Sequence, residues 1–255
     1  MKFIFVIGRN TFHEIIRDRI LYGIIAFALF LIGMSLALGE LSFAEQARIT
    51  ADFGFTGIHL GMSILSIFVG SSLVAKEIEK QTILTLLARP ISRTQFLLGK
   101  YLGFSTVIGV VLVGLAIVLG VVIGFLGLPL QSSFFIALVG IYFESLILMA
   151  MSLLFGTLSR PMMTVIFTVS IFLIGHWVSS LQYFAEKSTS KSFRAVAELV
   201  QYLMPNFEKL NWRSAPIYQD VISIREFVMV SGYTLGWILV ILTITSWLFR
   251  RKDFV

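Results

Sequence analysis

The stretch Lys76–Gly103, KEIEKQTILTLLARPISRTQFLLGKYLG, decides how the rest of the chain is read. It carries seven charged residues between two long apolar runs. Within it, Ile83, Leu84, Leu86 and Leu87 recur at helical spacing and predict a short helix. Pro90 ends that helix, because the residue before a proline is pushed out of the α region. A second helix then starts cleanly: Ser92 and Gln95 have capping-box spacing, with Ile91 and Phe96 at the two positions of a hydrophobic staple. The chain is therefore expected to leave a membrane, form one helical elbow over residues 76–100 in water, and return through a defined helix start. An ordinary solvated loop would need neither two helices nor a sharp break.

Composition agrees with the membrane reading. Of 255 residues, 57% are hydrophobic and 13% charged, and the mean hydropathy is +0.92. A charged share about half that of a soluble domain, at this length, leaves more apolar surface than a soluble core could hide. The net charge is +6. The basic residues sit beside apolar runs, so they are read as topology signals rather than as a nucleic-acid surface. The chain has no Cys, which removes disulfides, thiolate nucleophiles and Cys metal sites. No cleavable signal peptide is expected, since the first apolar run begins at Ile20 behind a charged, partly helical segment.

Working outward from the elbow, six apolar runs are long enough to cross a bilayer core: 20–39, 53–75, 101–126, 133–158, 162–184 and 227–249. The expected fold class is an all-α integral membrane protein, a single transmembrane unit over 1–255. Residues 1–19 place Phe5, Phe12 and Ile16 on one face with Arg9, Arg17 and Arg19 towards the others, the pattern of a helix lying in the membrane interface. Residues 40–52 are expected to be a polar loop. Gly99 with Gly103, and Gly120 with Gly124, have the spacing that lets helix backbones approach closely. Residues 185–226 form the largest polar segment beyond the elbow. In it, Phe193, Val196, Ala197, Val200 and Leu203 predict an amphipathic helix whose apolar face rests on the membrane unit or on a partner. Ser223 and Glu226 give a second capping box before the last span.

Three ionisable residues interrupt the spans: His59, Glu144 and His176. A lone His reads as a packing or interfacial residue. A carboxylate at mid-membrane costs about 3 kcal/mol on insertion scales, so Glu144 should face protein or water. Two roles stay open for Glu144, a structural hydrogen-bonding group or a lining residue of a translocation path. Segments 1–19, 76–100, 158–161 and 250–255 hold 13 of the 20 Lys and Arg. By the positive-inside rule both termini and the elbow are cytoplasmic, and 185–226 is external.

The residues Glu79, Lys80, Thr82, Leu86, Leu87, Arg89, Pro90, Ile91, Ser92, Arg93, Phe96, Leu97, Gly99 and Lys100 resemble the loop between the second and third spans of ABC-2 type permeases. Gln81 stands where that pattern usually has Gly. The run Pro205-Asn206-Phe207-Glu208-Lys209-Leu210-Asn211 resembles the matching place before the last span in the branch associated with multicopper-enzyme maturation and gliding-type export. The resemblance implies a permease, usually an exporter, that forms a dimeric membrane unit driven by a separate ABC ATPase, in two copies, which carries the ATP and Mg²⁺. It also implies that Glu79, Thr82, Ile83, Leu86, Leu87, Arg89 and Arg93 are the ATPase-coupling residues, in a plasma (inner) membrane protein.

The chain itself contains no G-x-x-x-x-G-K-[ST] phosphate loop, no paired His/Glu metal motif and no G-x-S-x-G elbow. It is expected to be no enzyme and to hold no cofactor or metal. Two other readings are a membrane-embedded enzyme using Glu144 and a His, and a non-transporting scaffold joining an ATPase to an outer partner at 185–226. Membrane lipid is a partner on any of these readings, and nucleic acid on none.

Overall fold

The computed structural model describes residues 2–41, 45–79, 92–127, 129–218 and 220–251. Among them every regular element is helical. In chain order these are α1 (Lys2–Ile16), α2 (Arg19–Glu40), α3 (Gln46–Glu79), α4 (Arg93–Phe125), α5 (Ser132–Leu158), α6 (Pro161–Lys187), α7 (Lys191–Leu203), a 3-10 turn (Phe207–Leu210), the single turn α8 (Ala215–Tyr218) and α9 (Ile224–Arg251). Six of them, α2 to α6 and α9, are long and apolar enough to cross a membrane. The protein is thus an all-α, multi-pass membrane protein.

The spans are not equivalent. Within their most apolar windows α3 is 78% and α5 67% buried, whereas α2, α6 and α9 are each 28% buried and α4 33%. So α3 and α5 form the interior pair and the other four present most of their surface to lipid. Phe55, Ile58, Met62 and Leu65 of α3 meet Leu97, Phe104 and Ile108 of α4 and Ile147, Leu148 and Leu153 of α5 in one continuous core. Outward-facing Val113, Ile117 and Val121 of α4, and Leu235 and Leu239 of α9, are exposed, as a lipid-facing surface requires.

The sequence signals for helix starts hold where they fall on described residues. The backbone N–H of Gln95 donates to Ser92 Oγ at 3.2 Å, and that of Ser92 to Gln95 Oε1 at 3.1 Å, completing the capping box of α4. Pro161 occupies the first turn of α6, where its missing N–H costs no helical bond. At α9 the Ser223 arm of the second box forms, with Glu226 N–H donating at 3.1 Å. The main difference lies at 40–52, read as a polar loop: α3 already begins at Gln46. Thr50, fully buried, faces α2 and its Oγ1 donates to Ser35 O at 3.2 Å, while Glu45 and Arg48 stay exposed and pair with each other at 3.0 Å, so the charges of this segment sit on the solvent side of a helix start.

Helix α1 packs along the start of α4. A Cβ on Gly103 would lie 2.4 Å from Gly8 O, and one on Gly99 would lie 2.7 Å from Ile7 Cβ, so this small-residue pair seats α1. Among the described residues nothing lies within 4 Å of a Cβ built on Gly124, so it seats no helix there.

The two ends of the elbow are fastened. On α4, Lys100 is buried and its Nζ donates to Glu77 Oε1 of α3 at 2.7 Å and to Glu14 Oε2 of α1 at 2.9 Å. Two turns earlier, Arg93 Nη1 donates to the carbonyls of Phe249 and Arg250, both at 3.0 Å, satisfying the last turn of α9. Thr94 Oγ1 accepts from Arg250 at 2.9 Å, and Phe96 stacks on Phe249 with centroids 6.0 Å apart. The elbow's flanks therefore touch α1, α3, α4 and α9 together. The elbow tip, 80–91, lies outside the described residues.

At the far end of the bundle, helix α7 starts two residues before its predicted first residue, capped by Ser190. Its apolar face is only partly covered. Ala197 is buried and Val200 lines a groove of about 570 Å³ with Trp177, Leu181 and Phe184 of α6, while Val196, Leu199 and Tyr202 are exposed.

Candidate functional site

The segment between α7 and α9 folds back into the far end of the bundle. Two glycines make room for it. A Cβ on Gly140 of α5 would lie 2.4 Å from Leu210 O, and one on Gly175 of α6 would lie 2.4 Å from the Phe207 ring. Phe207, Leu210 and Trp212 are buried, and Trp212 stacks on Phe227 of α9 at 5.8 Å.

The Pro-Asn-x-Glu-x-x-Asn run builds this fold-back through polar bonds. Asn206 Oδ1 accepts from Glu208 N–H at 3.0 Å and caps the 3-10 turn. The Asn206 backbone N–H donates to the Tyr233 hydroxyl of α9 at 2.7 Å, and its side chain donates to Ser179 Oγ of α6 at 3.0 Å. Asn211 Nδ2 donates to Glu208 Oε1 at 3.1 Å, and Asn211 Oδ1 in turn accepts from Arg213 Nε at 2.8 Å. The run thus aims one guanidinium into the bundle.

Arg213 meets the three ionisable residues that interrupt the spans. Its Nη1 lies 2.9 Å from His59 Nδ1 of α3, and His59 Nε2 lies 2.8 Å from Glu144 Oε1 of α5. His176 of α6 brings its Nε2 to 3.5 Å from the same oxygen. The side chains of His59 and Glu144 are 5% and 4% exposed and that of His176 19%, so water screens these contacts little.

The chemistry of the donors assigns the protons. A guanidinium has only donors, so His59 Nδ1 must be the acceptor and its proton sits on Nε2. His59 is then neutral and donates to Glu144. His176 Nδ1 lies 2.9 Å from Phe172 O, which only accepts, so this nitrogen carries a proton. His176 Nε2 is buried and has no hydrogen-bond partner. Burial pushes the Arg213 guanidinium below its usual pKa, and the charges of Glu144, Glu208 and Asp52 oppose that shift.

One ligand atom from each of His59, Glu144 and His176 lies within 4.8 Å of the others, which is compact enough to hold a metal ion. Arg213 argues against that use. To ligate through Nε2, His59 would have to move its proton to Nδ1, against the N–H of Arg213. A divalent cation would also share one carboxylate with a guanidinium. The set as built is a hydrogen-bonded chain, Arg213–His59–Glu144, with His176 at its end.

Glu144 is therefore engaged with protein through the His59 N–H, the condition its burial imposes, with His176 close beside the same oxygen. The sequence placed His59 and His176 as isolated packing or interfacial residues, and the fold brings both to Glu144. Arg213 gave no separate signal. The clue was available in the costs: these three are the ionisable residues that interrupt the predicted spans, and buried polar groups must find partners.

Of the seven residues read as ATPase-coupling, Glu79 ends α3 and Arg93 opens α4, bound to the end of α9. Thr82, Ile83, Leu86, Leu87 and Arg89 lie outside the described residues.

Residues 5–254 match the model of a family described as ABC-2 family transporter protein. No curated protein matches the chain. The family match runs over nearly the whole length and agrees with the six long apolar helices. The chain belongs to the ABC-2 family of transporter proteins, as the membrane subunit of an ABC transporter.

Proposed function

We propose that this chain is the permease of an ATP-driven exporter, working as one of two copies around a shared path. Two copies of a separate ATPase bind at the elbow and carry the ATP and Mg²⁺, while the chain itself carries no cofactor and catalyses no reaction. The observation that supports the coupling role is the fastening of both elbow flanks. Lys100 ties α4 to α3 and α1, and Arg93 ties α4 to α9, so a push on the elbow moves four helices rather than one loop. Ile83, Leu86 and Leu87 supply apolar anchors for a groove on the ATPase, with Glu79, Thr82 and Arg89 beside them. An apolar anchor that fills a partner pocket contributes about 2 kcal/mol or more when it is a hot spot. Leu86→Asp should therefore lower copurification of the ATPase at least tenfold, while the protein still inserts and folds. Wild-type levels of bound ATPase in that variant would remove the elbow from the coupling role.

In the same reading the protein lies in the plasma membrane with both termini and the elbow in the cytoplasm and α7 outside. Single cysteines replacing Thr85 and Ser190 in this Cys-free chain should react with an impermeant reagent from opposite sides. Reaction of both from one side would contradict the orientation. Glu144 then sits near the middle of α5. There it ties α3, α5 and α6 to the fold-back, a structural tie rather than a binding group for cargo.

A further inference from the structure

Beside its seat on α4, helix α1 leaves an apolar groove of about 470 Å³. Phe5, Arg9 and Phe12 of α1 line one side, and Leu102, Ser105 and Thr106 of α4 the other. The hydroxyls of α4 are spent on their own helix: Ser105 Oγ donates to Leu102 O at 2.9 Å and Thr106 Oγ1 to Gly103 O at 2.6 Å. Among the described lining residues Arg9 alone is charged. It is exposed and has no ion pair or hydrogen bond among the described residues. The two carboxylates of this segment are in use elsewhere. Glu14 accepts from Lys100 Nζ at 2.9 Å, and Asp18 caps α2 by accepting the Ile20 N–H at 3.0 Å. Arg17, just past the last residue of α1, is exposed and adds a second positive charge.

The groove also continues into the lipid-facing surface. Leu102 and Thr106 begin an exposed stripe that runs on through Val110, Val113, Ile117 and Val121 of α4. At 3.6 residues per turn these positions share one face of the helix. An occupant of the groove therefore meets an apolar track and, beside it, an unpaired guanidinium. A phospholipid supplies both partners.

We propose that the groove between α1 and α4 binds one anionic phospholipid, with an acyl chain along Leu102 and Thr106 and the phosphate accepting from Arg9. A guanidinium suits this role because its planar fork of donors matches two phosphate oxygens. A net negative headgroup is favoured over a zwitterionic one. The carboxylate of α1 is already committed to Lys100, so an ammonium has no partner there, and Arg17 repels it. The volume lies in the range of about 300–1,000 Å³ typical of ligand sites. The lipid completes the seat of α1 that Gly8 and Gly103 begin. On the orientation proposed above the leaflet is the cytoplasmic one, but the site does not depend on that orientation and neither do its tests.

Native mass spectrometry of the delipidated full chain, titrated with phosphatidylglycerol or phosphatidylcholine, reads the binding. Phosphatidylglycerol should bind the more tightly. Arg9→Gln should weaken it about fivefold, the factor for one cation near an anionic lipid, and bring it level with phosphatidylcholine. Arg9→Lys should recover most of that loss, because the charge remains. Thermal stability of the lipid-free protein should be the same in all three. The place is read separately. Phosphatidylglycerol carrying a diazirine in its acyl chain, photolysed in phosphatidylcholine nanodiscs, should label 4–12 and 102–106 above the other described stretches. Thr106→Trp, which fills the groove from an exposed position, should remove that label. Undiminished phosphatidylglycerol binding by Arg9→Gln, or label spread evenly over the exposed faces of the spans, would overturn the proposal. So would a disulfide between two chains carrying Phe5→Cys, which would put a second copy in the groove.

Discussion

Glu144→Ala should destabilise the folded protein by about 3–5 kcal/mol, the cost typical of removing one partner from a buried ionic network. Glu144 is 4% exposed at its side chain and accepts the His59 N–H at 2.8 Å. Its removal leaves that N–H without an acceptor and leaves the half-buried Arg213 guanidinium without its nearest countercharge inside the bundle. Three helices and the fold-back meet at this one carboxylate, so thermal unfolding in detergent should shift as a single transition. Removing Arg213 as well, in Glu144→Ala/Arg213→Met, should recover part of the loss, because an unpaired charge costs more than an absent one. A loss below about 1 kcal/mol in the single variant would mean that Glu144 is not the tie between these elements.

Lys100→Met should cost about 3 kcal/mol and should also uncouple the elbow. The Lys100 side chain is 5% exposed and that of Glu77 17%, so the variant removes the ammonium that faces a largely buried carboxylate. Glu14, 60% exposed at its side chain, loses little. The pair sits where α3 ends and α4 begins, so its loss lets the elbow flanks move independently. ATP hydrolysis by the bound ATPase should continue in this variant, with transport falling at least tenfold. Lys100→Met/Glu77→Met restores a neutral, packed contact and should recover most of the stability without recovering the coupling. Wild-type transport in Lys100→Met would show that the clasp is dispensable.

These two sites differ in how far the sequence announced them. The spans were legible because a bilayer core demands about 20 apolar residues in a row, and runs such as 101–126 supply them without interruption. The start of α4 was legible because Ser92 and Gln95 are local to each other, and both arms of their box form. The seat of α1 was legible as a small-residue pair, Gly99 and Gly103, although not as a contact with α1. The start of α3 was misread as loop because 40–52 carries one basic and three acidic residues, and of these Glu45 and Arg48 stay exposed and pair with each other at the helix start.

The Glu144 cluster was not legible as a unit. His59 lies 85 residues from Glu144 and 154 from Arg213, and no local pattern spans such distances. The Pro-Asn-x-Glu-x-x-Asn run was visible as a motif, but its purpose is tertiary. Asn206 anchors the turn to α6 and α9, and Asn211 steers the guanidinium that follows it. Hydrogen bonds between elements fix a role that composition cannot.

Two regions of the molecule carry its polar machinery, and one helix joins them. The elbow flanks bind α1, α3, α4 and α9, and the far-end cluster binds α3, α5, α6 and the fold-back. Helix α3 belongs to both, running from Gln46 to Glu79 with His59 well inside it and Glu77 near its end. It is also the most buried span, which suits a rigid rod that carries displacement from the elbow to the fold-back.

The most direct measurement is the labelling rate of a cysteine at Ala215 in the assembled complex with its ATPase, with and without ATP. The account predicts that ATP changes this rate at least threefold, and that the change disappears in Leu86→Asp. An ATP-dependent change of the same size in Leu86→Asp, or no change in the wild-type elbow, would contradict the coupling of the elbow to the far end through the spans.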